Sequence, residues 1–165
     1  MNRRDLLKMG ASVATVPAAA AAQKTHWKPA FFSATQNETV IAVSDLIIPA
    51  TETPGAKSAL VNRYMDKLLA DAPPAQQTRF TEDLAALDEY SSRTRRQPFA
   101  KCTPAQQTAI LTALGESTDN RDRRVFENLK AMTVRVYYAT EPGFQELNRG
   151  GRVPATFACQ DTEHR

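Results

Sequence analysis

Apolar residues recur along this chain at spacings of three and four, which line one face of a helix, and not at the strict alternation of a half-buried strand. Val40, Val43, Leu46 and Ile47 make the first such face. It follows Thr35-Gln36-Asn37-Glu38, which has the spacing of a helix capping box with Thr35 as N-cap and Glu38 reaching back. Pro49 stops the run, and the stretch from Ile47 to Ala56, with Pro49, Pro54 and Gly55, reads as a loop. A second helix is predicted from about Ala56 to Ala70, with Leu60, Val61, Tyr64, Met65 and Leu68 inward and Asp71-Ala72-Pro73-Pro74 as its stop. A third covers about Ala75 to Arg93 on the stripe Phe80, Leu84, Leu87 and Tyr90. Its far side, Gln76, Gln77, Arg79, Glu82, Asp83 and Glu89, reads as a solvent face.

Thr103-Pro104-Ala105-Gln106 is another capping box, with proline at the first helical position. It opens a helix that carries Ile110, Leu111 and Leu114 and ends at Gly115. The fifth and longest helix is predicted from about Asp122 to Tyr138, burying Val125, Phe126, Leu129, Met132, Thr133, Val136 and Tyr137. Thr133 to Tyr138 is rich in β-formers, but the helical period from Val125 is unbroken, so helix is preferred. Thr140-Glu141-Pro142-Gly143 is a turn, Phe144 and Leu147 suggest one short helical turn, and an extended tail runs from Gly150 through Phe157 and Cys159. The fold class expected is all-α: a single small up-and-down bundle of about five helices with an extended C-terminal tail.

The start of the chain has a different character. Met1 to Ala22 has a positive start, a short apolar middle and a small-residue end that offers an A-x-A cleavage site. Gly10, Ser12 and Thr15 break the apolar run, which is too short to span a bilayer as a helix. Arg3-Arg4-Asp5-Leu6-Leu7-Lys8 resembles the twin-arginine export motif, with Asn2 where Ser or Thr is usual and Leu6 where Phe is usual. Export by the twin-arginine translocase to the periplasm is therefore expected. That route carries folded cargo, so the chain either folds before transit or travels bound to a folded partner. The organisation expected is a signal over 1–22, an irregular lead-in over 23–34 and one helical domain over 35–165. The lead-in holds Trp27, Phe31 and Phe32, and either folds back over the core or docks on another protein.

Charge and cysteine content change the picture little. The net charge is +3, of which Arg3, Arg4 and Lys8 against Asp5 contribute +2. The remainder is nearly neutral and has no basic run with interleaved aromatics, so no nucleic-acid partner is expected. Cys102 and Cys159 are the two cysteines; in an exported chain they pair with each other, stay as buried thiols, or one bonds a partner subunit.

The search for chemistry finds no motif that carries it. There is no C-x-x-C-H for haem, no C-x-x-C, no glycine-rich phosphate loop and no G-x-S-x-G. His26 and His164 have no second ligand within helical reach. Glu82-Asp83 and Asp88-Glu89 are adjacent on a helix and diverge by about 100°. No catalytic, cofactor-binding or metal residues are assigned. Two classes remain: a non-catalytic partner of another protein, or a free-standing periplasmic protein that binds a small ligand or answers stress.

Several short motifs, taken in order, resemble one family. They are Ile47-Ile48-Pro49-Ala50, Thr53-Pro54-Gly55-Ala56, Phe80…Leu84…Leu87, Phe126…Leu129-Lys130…Thr133…Tyr137-Tyr138…Gly143 and Phe157-Ala158-Cys159. Together they are similar to the small subunit (subunit 3, or gamma) family of gluconate 2-dehydrogenase. Ala158, where Gly before the cysteine is common, and Ala139-Thr140, where Thr-Ser is usual, depart from it. The resemblance implies a non-catalytic accessory subunit of a periplasmic or membrane-bound dehydrogenase complex acting on a sugar, sugar acid or polyol. The partner would be a large FAD-containing flavoprotein of the glucose-methanol-choline (GMC) oxidoreductase type, and often a multi-haem cytochrome c. FAD and haem c would sit on those partners, none on this chain. The small subunit's leader would carry the large one across the membrane. On that reading Pro49, Thr53, Pro54, Gly55, Tyr137, Tyr138, Gly143, Phe157 and Cys159 either form the docking surface or merely turn and pack the chain.

Overall fold

The computed structural model describes residues 27–148. Six α-helices lie among them, with no strand: α1 (Ala34–Ile47), α2 (Val61–Ala70), α3 (Pro74–Arg95), α4 (Pro104–Gly115), α5 (Asn120–Tyr138) and α6 (Glu141–Leu147). The all-α reading is correct. α5 touches each of the other five helices, so it is the shaft on which the bundle is assembled. Its inner side is Val125, Leu129, Thr133, Val136 and Tyr137. These meet Val40 and Val43 of α1, Val61, Met65 and Leu69 of α2, Leu84 and Leu87 of α3, and Ile110, Leu111 and Leu114 of α4 in one continuous core. The β-formers at the end of α5 are helical because that core, rather than propensity, decides them.

The helix ends follow from capping chemistry. Thr103 Oγ1 accepts from the Gln106 amide and Gln106 Oε1 accepts from the Thr103 amide, the box expected at α4. At α1 the cap is Ser33, not Thr35. Ser33 Oγ accepts from the Gln36 amide at 3.2 Å, and Gln36 Oε1 accepts from the Ser33 amide at 2.9 Å. Ser33-Ala34-Thr35-Gln36 fits the same capping rule, and burial of the preceding Phe32 selects it. α5 begins at Asn120, capped by the Asp119 carboxylate, two residues before the predicted start.

The second helix differs most. It starts at Val61, because residues 56–60 form a separate turn that closes on itself. The Val61 amide reaches the Ala56 carbonyl at 3.0 Å, and the Leu60 amide reaches the Lys57 carbonyl at 3.2 Å. This is the bonding of a Schellman stop, with Leu60 left-handed at φ 56° where glycine is usual. The turn swings Leu60 and Tyr64 outward to 41% and 54% exposure, against the inward placement expected. On α3, Asp83 is buried rather than solvent-facing and accepts from Asn128 Nδ2 at 3.0 Å. One turn of 3-10 helix at Phe99–Lys101, absent from the sequence reading, inserts Phe99 fully into the core. The Phe99 amide donates to Asp88 Oδ1 at 2.9 Å, and its carbonyl accepts from Gln107 Nε2 at 3.0 Å.

Of the two fates open to the lead-in, Phe31 and Phe32 take the first and fold back. Phe32 is buried against Phe80, with ring centroids 5.9 Å apart. The Asp66 carboxylate receives the amides of Ala30, Phe31 and Phe32 at 2.8, 3.0 and 2.9 Å. Three donors satisfy a carboxylate that is only 3% exposed.

Candidate docking surface

The structure brings the two predicted loops together. Ile48 to Ala56 is a closed loop: the Ala56 amide donates to the Ile48 carbonyl at 2.9 Å, and the Thr51 amide to the Thr53 carbonyl at 3.1 Å. Gly55 lies in its throat. A Cβ there would stand 2.6 Å from the Pro49 carbonyl carbon and 2.7 Å from the Ile48 oxygen, so the side chain must be absent. Pro49, Ala50, Thr51, Glu52 and Pro54 are exposed around this throat, and Thr53 is half-buried.

The loop is held to the α5–α6 junction through one side chain. Tyr137, fully buried, directs its hydroxyl to the Pro54 carbonyl and to Glu146 Oε2, each at 2.8 Å. Burial raises the Tyr137 pKa above its ordinary value; the hydrogen bond to Glu146 and that carboxylate's charge raise it further, against a smaller lowering by the Thr53 hydroxyl. Thr140 caps α6 and also donates to the Tyr137 carbonyl. Gly143 follows because the first turn of α6 crosses the end of α5. A Cβ there would stand 2.7 Å from the Tyr137 carbonyl carbon and 2.9 Å from the Tyr138 Cα. Tyr138 turns outward at 36% exposure and packs edge-on against Tyr137.

The nominated residues therefore divide by position. Gly55, Tyr137 and Gly143 are internal anchors, whereas Pro49, Pro54 and Tyr138 face outward. Phe157 and Cys159, like Arg3, Arg4, Leu6, Leu7 and Lys8, lie outside the described residues. Cys102 is buried; its sulfur lies 3.2 Å from Ser91 Oγ and 3.6 Å from the Pro98 carbonyl. Cys159, and with it the Cys102–Cys159 pairing and a bond from Cys159 to a partner, falls outside the described residues.

Sequence reasoning missed a second exposed face. Trp27, Leu60 and Tyr64 line a recess of about 570 Å³ between the lead-in and α2, and the Arg63 guanidinium lies 5.2 Å from the centre of the Trp27 ring. The left-handed residue that exposes Leu60 carries no sequence mark, since the position would advertise itself only as a glycine. Among the described residues no three His, Cys, Asp or Glu side chains gather as a metal site, and no helix is long and apolar enough to cross a membrane.

Comparison with curated proteins and with solved structures finds no match. A family model, gluconate 2-dehydrogenase subunit 3, matches residues 34–151. That span takes in all six helices, the closed loop at Gly55 and the junction at Gly143. The chain belongs to the gluconate 2-dehydrogenase subunit 3 family, whose members are accessory subunits of dehydrogenase complexes.

Proposed function

We propose that this chain is the non-catalytic escort subunit of an exported, FAD-dependent dehydrogenase of the GMC type that oxidises a sugar, sugar acid or polyol. The large flavoprotein partner holds FAD and the catalytic residues. A multi-haem cytochrome c, where present, takes the electrons. The family match over 34–151 carries this reading. The twin-arginine pattern at Arg3 and Arg4 supports the export role, because that translocase accepts folded cargo and lets one leader carry two proteins. The mature complex then lies in the periplasm, held at the membrane only through its partners.

The test is purification of the tagged full chain from periplasmic and membrane fractions, read by flavin absorbance and by the masses of co-purifying chains. A yellow complex with a large, leaderless flavoprotein is the expected result. Arg3→Lys with Arg4→Lys should then leave both proteins in the cytoplasm. A colourless chain without a partner would overturn the proposal.

A further inference from the structure

The recess beside α2 joins three features that suit it to a partner. The first is Leu60. A left-handed backbone costs a residue with a Cβ about 1 kcal/mol relative to glycine. A leucine earns its place there when its side chain is buried, yet Leu60 is 41% exposed. The second is composition. Tyr64, at 54% exposure, and Trp27 stand beside Leu60, and Arg63 stacks on the indole. Tryptophan, tyrosine and arginine are the residue types that dominate binding energy where proteins meet. The third is anchoring. The three amide bonds into Asp66 fix Ala30 to Phe32 against α2, and Trp27, three residues upstream, rests on Arg63 of the same helix. The surface is preorganised.

Charge indicates what fits. Among the described residues, Lys28, Arg63 and Lys67 line the recess, with Asp71 the one exposed carboxylate and Asp66 consumed internally. We propose that this face docks an acidic segment of the large flavoprotein subunit, with one apolar side chain of that segment seated between Trp27, Leu60 and Tyr64. Carboxylates flanking that side chain meet Arg63 and Lys67. This inference rests on the subunit reading above and places the partner on a different face from the Pro49–Ala56 loop. A concave recess suits an inserted side chain better than a flat lipid surface.

The test places a photo-crosslinking benzoylphenylalanine at Tyr64, and separately at Pro54, in the full-length exported chain. Adducts are isolated after irradiation and the joined peptide is sequenced. The expected result is an adduct from Tyr64 to a flavoprotein segment that carries Asp or Glu beside an apolar residue. Leu60→Gly should lower its yield about tenfold or more, as loss of one central anchor does. The same variant should melt no lower than the parent, because glycine is at ease at φ 56°. Arg63→Glu with Lys67→Glu should also weaken capture, and more so at low salt. If the yellow complex purifies but crosslinks only from the Pro54 position, the docking inference falls and the subunit reading stands. An adduct to a second copy of this chain, or sedimentation with phosphatidylglycerol–phosphatidylethanolamine vesicles in place of a protein adduct, also overturns the docking inference. If no flavoprotein is recovered, both fall.

Discussion

Thr39 is fully buried on α1, and its hydroxyl has no hydrogen-bond partner. An unmet buried hydroxyl costs about 1–3 kcal/mol. Valine keeps the shape and removes the polar atom, so Thr39→Val should raise stability by about 1 kcal/mol. A urea midpoint that falls instead would mean that the hydroxyl has a partner in solution. Asp83 makes a related argument through pH. Burial raises its pKa above the ordinary carboxylate value, against lowering by the Asn128 hydrogen bond and by Arg79. The folded state therefore holds this proton to higher pH than the unfolded chain does. Its contribution to stability is full below the unfolded value of 3.8 and declines as pH rises through the raised folded value. Asp83→Asn, which keeps an acceptor for Asn128, should accordingly stabilise the protein at pH 7 and leave it unchanged near pH 3. Denaturation at the two pH values measures the difference, and an equal gain at both would assign the effect to something other than ionisation.

Among the elements, α6 depends most on a single contact. Seven residues are too few for a helix to persist alone in water. The Tyr137 hydroxyl ties α6, through Glu146, to the loop at Pro54. Tyr137→Phe removes the shared donor and should cost about 1–2 kcal/mol. Amide exchange should rise first at Phe144 and Asn148, whose bonds close α6. The same tyrosine gives stability a fall at high pH. Its folded pKa lies above the ordinary 10, so its contribution is intact below 10 and is lost as pH climbs through the folded value. The phenylalanine variant should lack that fall. Elements of this size were legible in sequence where a period and a cap coincide, as at Thr103, or where a period runs long, as along Val125 to Tyr137. They were not legible where two patterns compete or where a turn is made by an unmarked residue. Ser33 and Thr35 both satisfy the capping rule, and only the burial of Phe32 separates them. Leu60 breaks a helical period that otherwise runs on unbroken. Phe99 sits in a three-residue turn too short to show any period at all.

At the scale of the whole molecule, the folded unit begins before the family match does. The match starts at residue 34, but Phe32 is already in the core, and Ala30 to Phe32 satisfy the carboxylate of Asp66 on α2. The sequence left the lead-in's two fates open because aromatics before a helix serve core and interface equally. Asp66 decides between them, and nothing in its local sequence distinguishes it from a surface aspartate. The consequence is measurable by truncation. A chain beginning at Gln23 keeps every contact of the lead-in that the structure describes and should unfold at the same urea concentration as the full chain. A chain beginning at Ala34 loses Phe32, a deletion of the kind that costs about 3–5 kcal/mol. It also loses the three amide hydrogen bonds to the Asp66 carboxylate, at a further 1–3 kcal/mol or so. Together these approach the whole stability of a small domain, so that chain should unfold without a cooperative transition or fail to fold. Two point variants in the Gln23 chain separate the causes. Phe32→Ala should reproduce most of the loss, whereas Ser33→Ala, which removes only the α1 cap, should cost about 1 kcal/mol. Equal stability of the Gln23 and Ala34 chains would show that α2 closes the core unaided. Trp27 would then stand over Arg63 for its partner's sake alone.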